Sequence, residues 1–194
     1  MELRPATIAD VPAMGRLIND AAEFGLMLPK SAATLYENVR EFRIAADQSR
    51  EESGHAVVGV AGLSVIWADL AEIVSLVVAP AARGTGLGRR LVEDCVDEAR
   101  RLGISRVMAL TYEQAFFERL GFGVVDREHL PLKVWADCVR CPKHDACDEI
   151  AMVRVLEDVP APPEAPQLPA TPEPSFEVPV VMTATAAGRR PGPA

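Results

Sequence analysis

The hydrophobic pattern of residues 1–156 switches repeatedly between the period of a helix and that of a strand. A first helix is predicted after Thr7, where a hydroxyl followed three residues later by Asp10 matches a capping box. Its apolar face repeats at helical spacing, at Val11, Met14, Leu17, Ile18 and Ala21. A second helix is predicted from a cap at Ser31 through Val39.

Short apolar runs, many of them β-branched, predict the strands. These runs fall at residues 3–5, 43–46, 55–65, 72–78, 106–111, 122–125 and 149–155. Gly59 and Gly62 interrupt the longest run and predict a bulge or bend there, and Asp69 marks a turn. A broad apolar helical face follows Gly86, and a shorter helix covers residues 115–120. The order predicts an α/β or α+β domain built on a mixed sheet.

Composition agrees with a globular protein and excludes several functional classes. Of the 194 residues, 49% are hydrophobic and 25% are charged, a mixture typical of a folded domain. The net charge of −8 argues against a nucleic-acid-binding protein, which needs a basic face. No apolar run approaches the ~18–20 residues of a membrane span, and the first residues lack the features of a signal peptide. A cytoplasmic location is therefore expected.

The composition changes near Val159, after which most of the 16 prolines occur. Proline fixes φ and removes a backbone donor, so this stretch is not expected to form helices or central strands. We therefore predict a folded domain over residues 1–156 and a disordered, proline-rich tail over residues 157–194. The tail is either a dispensable extension or a segment that binds a partner.

The most specific local feature is a glycine-rich turn between a predicted strand and a predicted helix. Pro80 ends the strand, and Gly84, Gly86 and Gly88 precede the amphipathic helix. Exposed N–H groups at a helix N-terminus favour anions, and glycine lets a phosphate approach the backbone. With Arg83 and Arg89 beside it, the turn predicts a pyrophosphate site, although an ordinary turn before a helix is the alternative. It is not a Walker A loop, because no Gly-Lys-Ser/Thr follows.

Two segments resemble the GNAT N-acetyltransferase superfamily. Residues 83–88 match the Gln/Arg-x-x-Gly-x-Gly/Ala pattern of its coenzyme A loop, and residues 115–122 are similar to its later Ala-x-x-Phe-Tyr-Glu-Lys-Leu-Gly-Phe signature. The resemblance implies a mixed, mostly antiparallel sheet flanked by helices, with acetyl-CoA as co-substrate. It also implies that the pantetheine arm pairs like a strand with the backbone near Val78. The implied coenzyme-binding residues are Val78, Arg83, Gly84, Thr85, Gly86, Leu87, Gly88 and Arg89.

Within that superfamily the chain resembles short, single-domain N-acetylglutamate synthases. The similarity lies in residues 3–10, 26–31, 71–76 and 109–111. It implies acetyl transfer from acetyl-CoA to the α-amino group of L-glutamate, the first step toward arginine. Acetylation of glutamine or another small amine and a non-catalytic acetyl-CoA-binding regulator are the alternatives. No nucleic acid or membrane partner is expected, and a homodimer is left open.

The same resemblance implies roles for four further residues. Arg4 and Lys30 match basic positions that bind the carboxylates of the substrate, and Arg is a natural bidentate partner for a carboxylate. Glu72 stands where several acetyltransferases place the base that deprotonates the amine. Phe117 replaces the family's tyrosine, which leaves Tyr112 as the candidate for protonating the thiolate.

The four cysteines divide into one isolated residue and one cluster. Cys95 falls on the apolar face of its predicted helix and is interpreted as a small core residue rather than a nucleophile. Cys138, Cys141, His144 and Cys147 have spacings that permit a metal site, but no second Cys-x-x-Cys pair completes it. The alternatives are a reduced, loop-stabilising cluster or an occasional disulfide, and we predict no metal.

Overall fold

The computed structural model describes residues 1–47, 57–126, 130 and 148–160, which contain a seven-stranded sheet and four α-helices. The strands are β1 (Glu2–Pro5), β2 (Phe42–Ala46), β3 (Val57–Trp67), β4 (Leu70–Val78), β5 (Arg106–Thr111), β6 (Gly123–Val124) and β7 (Ile150–Val155). The helices are α1 (Val11–Glu23), α2 (Ala32–Glu37), α3 (Leu87–Arg101) and α4 (Gln114–Glu118).

The strand order in the sheet is β1-β2-β3-β4-β5-β7-β6. Every neighbouring pair is antiparallel except β4 and β5, which run parallel. A parallel pair needs a crossover, and α3 supplies it between the end of β4 and the start of β5. The predicted mixed, mostly antiparallel sheet flanked by helices is confirmed.

The helices cover both faces of the sheet. On one face, α3 packs against alternate strand residues such as Ala61 and Ala71, and it buries Leu87, Leu91, Val92, Cys95, Val96 and Ala99. On the other face, α1 packs against Val60 and Val77, and it buries Val11, Met14, Ile18 and Ala21. Neighbouring residues of one strand thus belong to opposite cores, as the period of two in a strand requires.

Three helices differ from the predictions at their boundaries, and the last of them, α4, covers Gln114–Glu118 rather than residues 115–120. The capping box at Thr7 introduces a 3₁₀ turn over Ile8–Asp10, and α1 itself begins at Val11. The second helix ends at Glu37, where the Asn38 side chain donates to the Thr34 carbonyl at 3.0 Å, and a 3₁₀ turn at Val39–Glu41 follows. That turn redirects the chain into β2, so the apolar Val39 does not extend the helix.

Several expectations fall outside the described residues. They are the start of the third strand at His55, the four candidate metal ligands Cys138, Cys141, His144 and Cys147, and the tail from residue 161 onward. The boundary between domain and tail therefore stays a prediction. Among the helices that the structure describes, none combines the length and apolarity needed to cross a membrane.

A partly buried ion pair fastens β1 to the start of α1. Both terminal nitrogens of Arg4 donate to the Asp10 carboxylate, at 2.7 and 2.8 Å. The hydroxyl and the backbone N–H of Thr7 donate to the same carboxylate at 2.7 and 2.8 Å. Chiefly through the hydrogen bond from Arg4, and against the opposing effect of burial, the pKa of Asp10 falls to about 2.

Asp10→Asn should therefore destabilise the protein in a pH-dependent way. The folded pKa lies below the unfolded value of 3.8, so the contribution of Asp10 is complete above that value and disappears as the pH falls toward 2. Near neutral pH we expect a loss of about 1–2 kcal/mol in the free energy of unfolding, less than two full charged hydrogen bonds because solvent screens Arg4.

Urea unfolding of both proteins at several pH values measures this difference. Asp97→Asn, which removes an exposed carboxylate paired with Arg100, is the control and should change little. A difference between wild type and Asp10→Asn that stays constant down to a pH of about 2–3 would contradict the assignment.

Candidate active site

An opening separates the parallel strands β4 and β5. They pair only at their first residues, with Leu70 opposite Arg106 and Glu72 opposite Met108. Beyond Glu72, β4 continues to pair with β3 as far as Val78, and β5 keeps only β7, with which it pairs along its full length on its other edge. Among the described residues, no strand therefore pairs with the β5-facing edge of β4 from Ile73 onward.

A bulge in β4 lies within this opening. Val60 and Gly62 of β3 pair with Val77 and Val74, so β4 carries one extra residue between them. Ser75 adopts a φ of +53°, in the left-handed region that non-glycine residues rarely occupy. A bulge of this kind bends a strand away from its neighbour and re-aims its polar groups, which accounts for the divergence from β5.

The ladder between β3 and β4 fixes the orientation of Val78. The N–H of Ala79 donates to the Val58 carbonyl at 2.9 Å, so Gly59 and Val78 form a non-hydrogen-bonded pair. In such a pair the backbone N–H and C=O point away from the partner strand. Both groups of Val78 are thus turned from β3 toward the opening, where an extended ligand has a donor and an acceptor to pair with.

The glycine-rich turn lies immediately after this edge. Gly84 and Gly86 have φ values of +75° and +80°, and a Cβ added at either would meet no atom within 4 Å. Gly86 is the N-cap of α3, and the first intrahelical bond runs from the N–H of Arg90 to the Gly86 carbonyl at 3.1 Å. The N–H groups before Arg90 therefore have no partner within the helix, and the turn that carries them is exposed, a geometry that fits an anion such as a diphosphate.

Two arginines with exposed side chains belong to the turn and the start of α3. Arg89 lies in the first turn of α3. Arg83 bends back along the turn, and its Nε donates to the Val78 carbonyl at 3.2 Å. Thr85 uses its hydroxyl to close the turn, donating to the Ala82 carbonyl at 2.7 Å. Of the predicted residues 83–89, Arg83, Gly84, Thr85, Gly86 and Arg89 are exposed beside the edge at Val78, whereas the Leu87 side chain is buried in the core and could offer a coenzyme only its backbone.

The opposite border of the opening is formed by the end of β5 and by α4. Tyr112 follows β5 directly and is partly exposed there. A Cβ placed on Gly88 would lie 3.6 Å from the Phe116 ring and 3.8 Å from a Val78 methyl group, so α4 closes against the start of α3. Phe117 is buried and packs edge-on against Phe116 and Phe122, so this position offers no hydroxyl to the opening.

A cluster of polar residues lies at the closed end of the opening, on the face covered by α1 and α2. Glu72 stands directly opposite Ser64 of β3. Ser64 donates to the carboxylate of Glu41, and Lys30 lies close enough to attract that carboxylate. Burial outweighs both effects and raises the pKa of Glu41 above its ordinary value. The structure therefore places Glu72 opposite Ser64 in the ladder and Lys30 near Glu41, and Ser64 and Glu41 are two residues that the sequence did not single out.

Lys30 is positioned by its backbone. Asn19 of α1 accepts from the Lys30 N–H at 2.9 Å and donates to the Lys30 carbonyl at 3.0 Å. The segment is thereby held against the groove between α1 and α2, where a surface cavity of about 430 Å³ is lined by Lys30, Arg16 and Tyr36 among others. These two hydrogen bonds fix the position of the Lys30 backbone, from which the side chain extends.

Arg4 does not lie beside Lys30. It lies on β1, three strands away from β4, and its guanidinium is engaged by Asp10. A substrate carboxylate would have to share the guanidinium with Asp10. The sequence pattern indicated Arg4 and the capping-box residue Asp10 separately. It did not indicate their contact, because that contact depends on how β1 packs against the start of α1.

The core interpretation of Cys95 is confirmed. Its side chain is fully buried in α3, and burial raises its pKa to about 12. A buried thiol that stays protonated is not a nucleophile. Within the ranges that the structure describes, no three His, Cys, Asp or Glu side chains converge as a metal site.

Comparison with known proteins gives relatives over most of the folded part. An uncharacterized N-acetyltransferase of Chlorobaculum tepidum is 37% identical over 154 residues, which span 79% of this chain and 96% of that protein. The amino-acid acetyltransferase of Mycobacterium tuberculosis is 36% identical over 138 residues, which span 71% of this chain and 77% of that protein.

A solved structure shows the same fold. N-acetylglutamate synthase from Neisseria gonorrhoeae, complexed with coenzyme A and N-acetyl-glutamate, matches with a TM-score of 0.70 and 30% identity, over 80% of this chain and 35% of that longer chain. The model of the acetyltransferase (GNAT) family matches residues 17–122, which include the diverging strands and the glycine-rich turn. This chain therefore belongs to the GNAT family of acetyltransferases.

Proposed function

We propose that this protein transfers the acetyl group of acetyl-CoA to the α-amino group of L-glutamate and releases N-acetyl-L-glutamate and coenzyme A. The observation that carries the proposal is that the opening between β4 and β5 extends from Glu72, where the two strands stop pairing, to the glycine-rich turn that follows Val78. The relatives named as amino-acid acetyltransferases support the acceptor class. The product of this reaction is the first intermediate toward arginine.

The coenzyme side consists of the glycine-rich turn and the edge at Val78. The N–H groups at the start of α3 and the charge of Arg89 would hold the pyrophosphate. The N–H and C=O of Val78 would pair with the amides of the pantetheine arm, and Arg83 would leave the Val78 carbonyl to meet the pyrophosphate. The similar structure of N-acetylglutamate synthase, which is complexed with coenzyme A, supports this assignment.

The amine side lies at Glu72, where β4 and β5 meet. An amino group is protonated near neutral pH and must lose a proton before its lone pair attacks the thioester carbon. Glu72 would accept that proton, directly or through a water molecule. A backbone N–H at the opening, such as that of Val78, would stabilise the oxyanion. Tyr112, on the opposite border, would donate a proton to the departing thiolate.

Recognition of the acceptor would begin with Lys30, whose ammonium would bind a carboxylate. The second carboxylate of glutamate would be bound by Arg4 and share the guanidinium with Asp10. The engagement of Arg4 by Asp10 also favours a second candidate, because an acceptor with one carboxylate would need only Lys30. L-Glutamine is that candidate, since it differs from glutamate by a neutral amide.

A turnover assay over a panel of amino acids tests the proposal. With acetyl-CoA in excess and free thiol as the signal, L-glutamate should give the highest kcat/KM, followed by L-glutamine. A reversed order would assign the enzyme to glutamine. If no amine releases thiol although calorimetry shows that acetyl-CoA binds, the protein is a coenzyme-binding regulator and the proposed activity is wrong.

Gly86→Glu tests the coenzyme side separately. It places a Cβ and a negative charge beside the exposed N–H groups at the start of α3, so acetyl-CoA binding measured by calorimetry should be lost. Gly103→Glu is a matched control, because Gly103 has a φ of +75°, also meets nothing within 4 Å, and follows the other end of α3. It imposes a similar backbone strain and should leave the affinity unchanged. Equal affinities of the two variants would refute the assignment of the turn.

A further inference from the structure

The sheet consists of two well-paired halves that meet at one short junction. In one half, β1 to β4 pair in chain order. In the other half, β5 pairs with β7 at all six of its residues, and β7 also pairs with β6. Among the described strands, the junction between the halves has three paired positions, from Leu70 opposite Arg106 to Glu72 opposite Met108. Strands typically run for about five to six residues, so this junction is short.

An ion pair lies at the outer end of the junction. Asp69 belongs to the two-residue turn between β3 and β4, and Arg106 is the first residue of β5. The backbone N–H of Arg106 donates to the Asp69 carbonyl at 2.9 Å. The Nε and Nη2 of Arg106 lie 2.9 and 2.7 Å from one carboxylate oxygen of Asp69. The turn of one half is thus joined to the first residue of the other half through both backbone and side chains.

The geometry of this pair suits it to fixing an angle. A guanidinium is planar, and two of its donors meet the same oxygen, so the contact restricts orientation as well as distance. Both side chains are partly exposed, so the pair adds little to the stability of the fold. The apolar packing of α3 against Ala71 and Val107 also joins the halves, but hydrophobic contacts have no preferred direction.

The angle at the junction determines how far apart the borders of the opening lie. From Met108 in the junction, the chain runs four residues to Tyr112, about 13 Å at the usual rise of a strand. A tilt of about 5° at the junction would therefore move Tyr112 by about 1 Å relative to β4. A displacement of about 1 Å in a reacting group can lower a rate about a hundredfold.

We propose that Asp69 and Arg106 are positioning residues, which hold the two halves of the sheet at the angle that acetyl transfer requires. This inference rests on the proposed acetyl transfer. The pair acts through β4, which carries Glu72, and through β5, which leads to Tyr112. Its loss affects the transfer step. The coenzyme contacts belong to β4 and the glycine-rich turn alone, so they stay in place.

Asp69→Asn in the full chain tests the pair, because asparagine also favours turns but removes the charge. With the best acceptor of the amino-acid panel, kcat should fall at least about tenfold, since the borders of the opening are misplaced. The KM for acetyl-CoA should stay unchanged. Arg106→Gln should give the same pattern, and the double variant should be no slower than either single variant, because each removes the same interaction.

Glu93→Gln is the matched control. Both carboxylate oxygens of Glu93, on α3, accept from Nη1 of Arg154, on β7, at 3.1 Å, and this pair is also partly exposed. It joins a helix to one half of the sheet and does not cross the junction. Urea unfolding should show a similar small loss of stability in Glu93→Gln and Asp69→Asn, while kcat falls only in Asp69→Asn. An equal fall of kcat in both variants would overturn the positioning role.

Amide hydrogen exchange shows where β5 loosens. On the junction side, the Arg106 N–H donates to Asp69, and on the other side the Leu156 N–H donates to the Ser105 carbonyl at 2.7 Å. Asp69→Asn should speed exchange of the Arg106 N–H and leave that of Leu156 unchanged. Unchanged exchange at Arg106, or equal acceleration at both amides, contradicts a specific role at the junction.

The two proposals fail in different ways. An active wild type whose kcat is the same in Asp69→Asn overturns the positioning role and leaves the proposed acetyl transfer intact. A rise in the KM for acetyl-CoA without a fall in kcat likewise overturns it, because the pair would then act on the coenzyme. A wild type that acetylates no amine of the panel overturns both.

Discussion

The departure of β4 from β5 is the constraint on which the site depends. After three paired positions the two strands separate: β5 keeps β7 on its other edge, while β4 keeps β3 and bends at the left-handed Ser75. Unpaired backbone groups in the middle of a sheet are costly, so this edge persists only because solvent or a ligand can satisfy it. The strain at Ser75, of order 1–3 kcal/mol, is offset by the packing on both faces of the sheet.

The strand ladder also determines which groups are available in that opening. Hydrogen-bonded and non-hydrogen-bonded residue pairs alternate along this ladder. The N–H and C=O of Val78 therefore point away from β3, whereas those of Val77 are bonded to β3. The same strand carries Glu72 at the closed end and leads into the glycine-rich turn at the open end. One strand therefore positions the coenzyme contacts and the predicted base, and β3 adds Ser64 beside that base.

Local patterns in the sequence predicted the elements that depend on neighbouring residues. The helical face of α3, the turn at Asp69 and the glycine-rich turn are each encoded within one segment, and the structure has them. The end of α2 was misplaced, because Asn38 stops the helix through a side-chain bond to Thr34 that hydrophobic spacing does not show.

The contacts between distant segments could not be predicted from those patterns. The pairing of Arg4 with Asp10 arises from the packing of β1 against the start of α1. The contact between Glu41 and Ser64 arises from the register between β2 and β3, and an isolated glutamate before a strand carries no local signal of it. The sequence thus indicated which chemistry is present, whereas the sheet register determines which residues meet.

Amide hydrogen exchange at Val78 tests the central claim most directly. The account predicts that saturating acetyl-CoA slows exchange of the Val78 N–H, because the coenzyme becomes its hydrogen-bond partner. The N–H of Val77, already bonded to β3, should change little and is the internal reference. If Val78 exchanges at the same rate with and without bound acetyl-CoA, the coenzyme does not pair with this edge, and the account of the site is wrong.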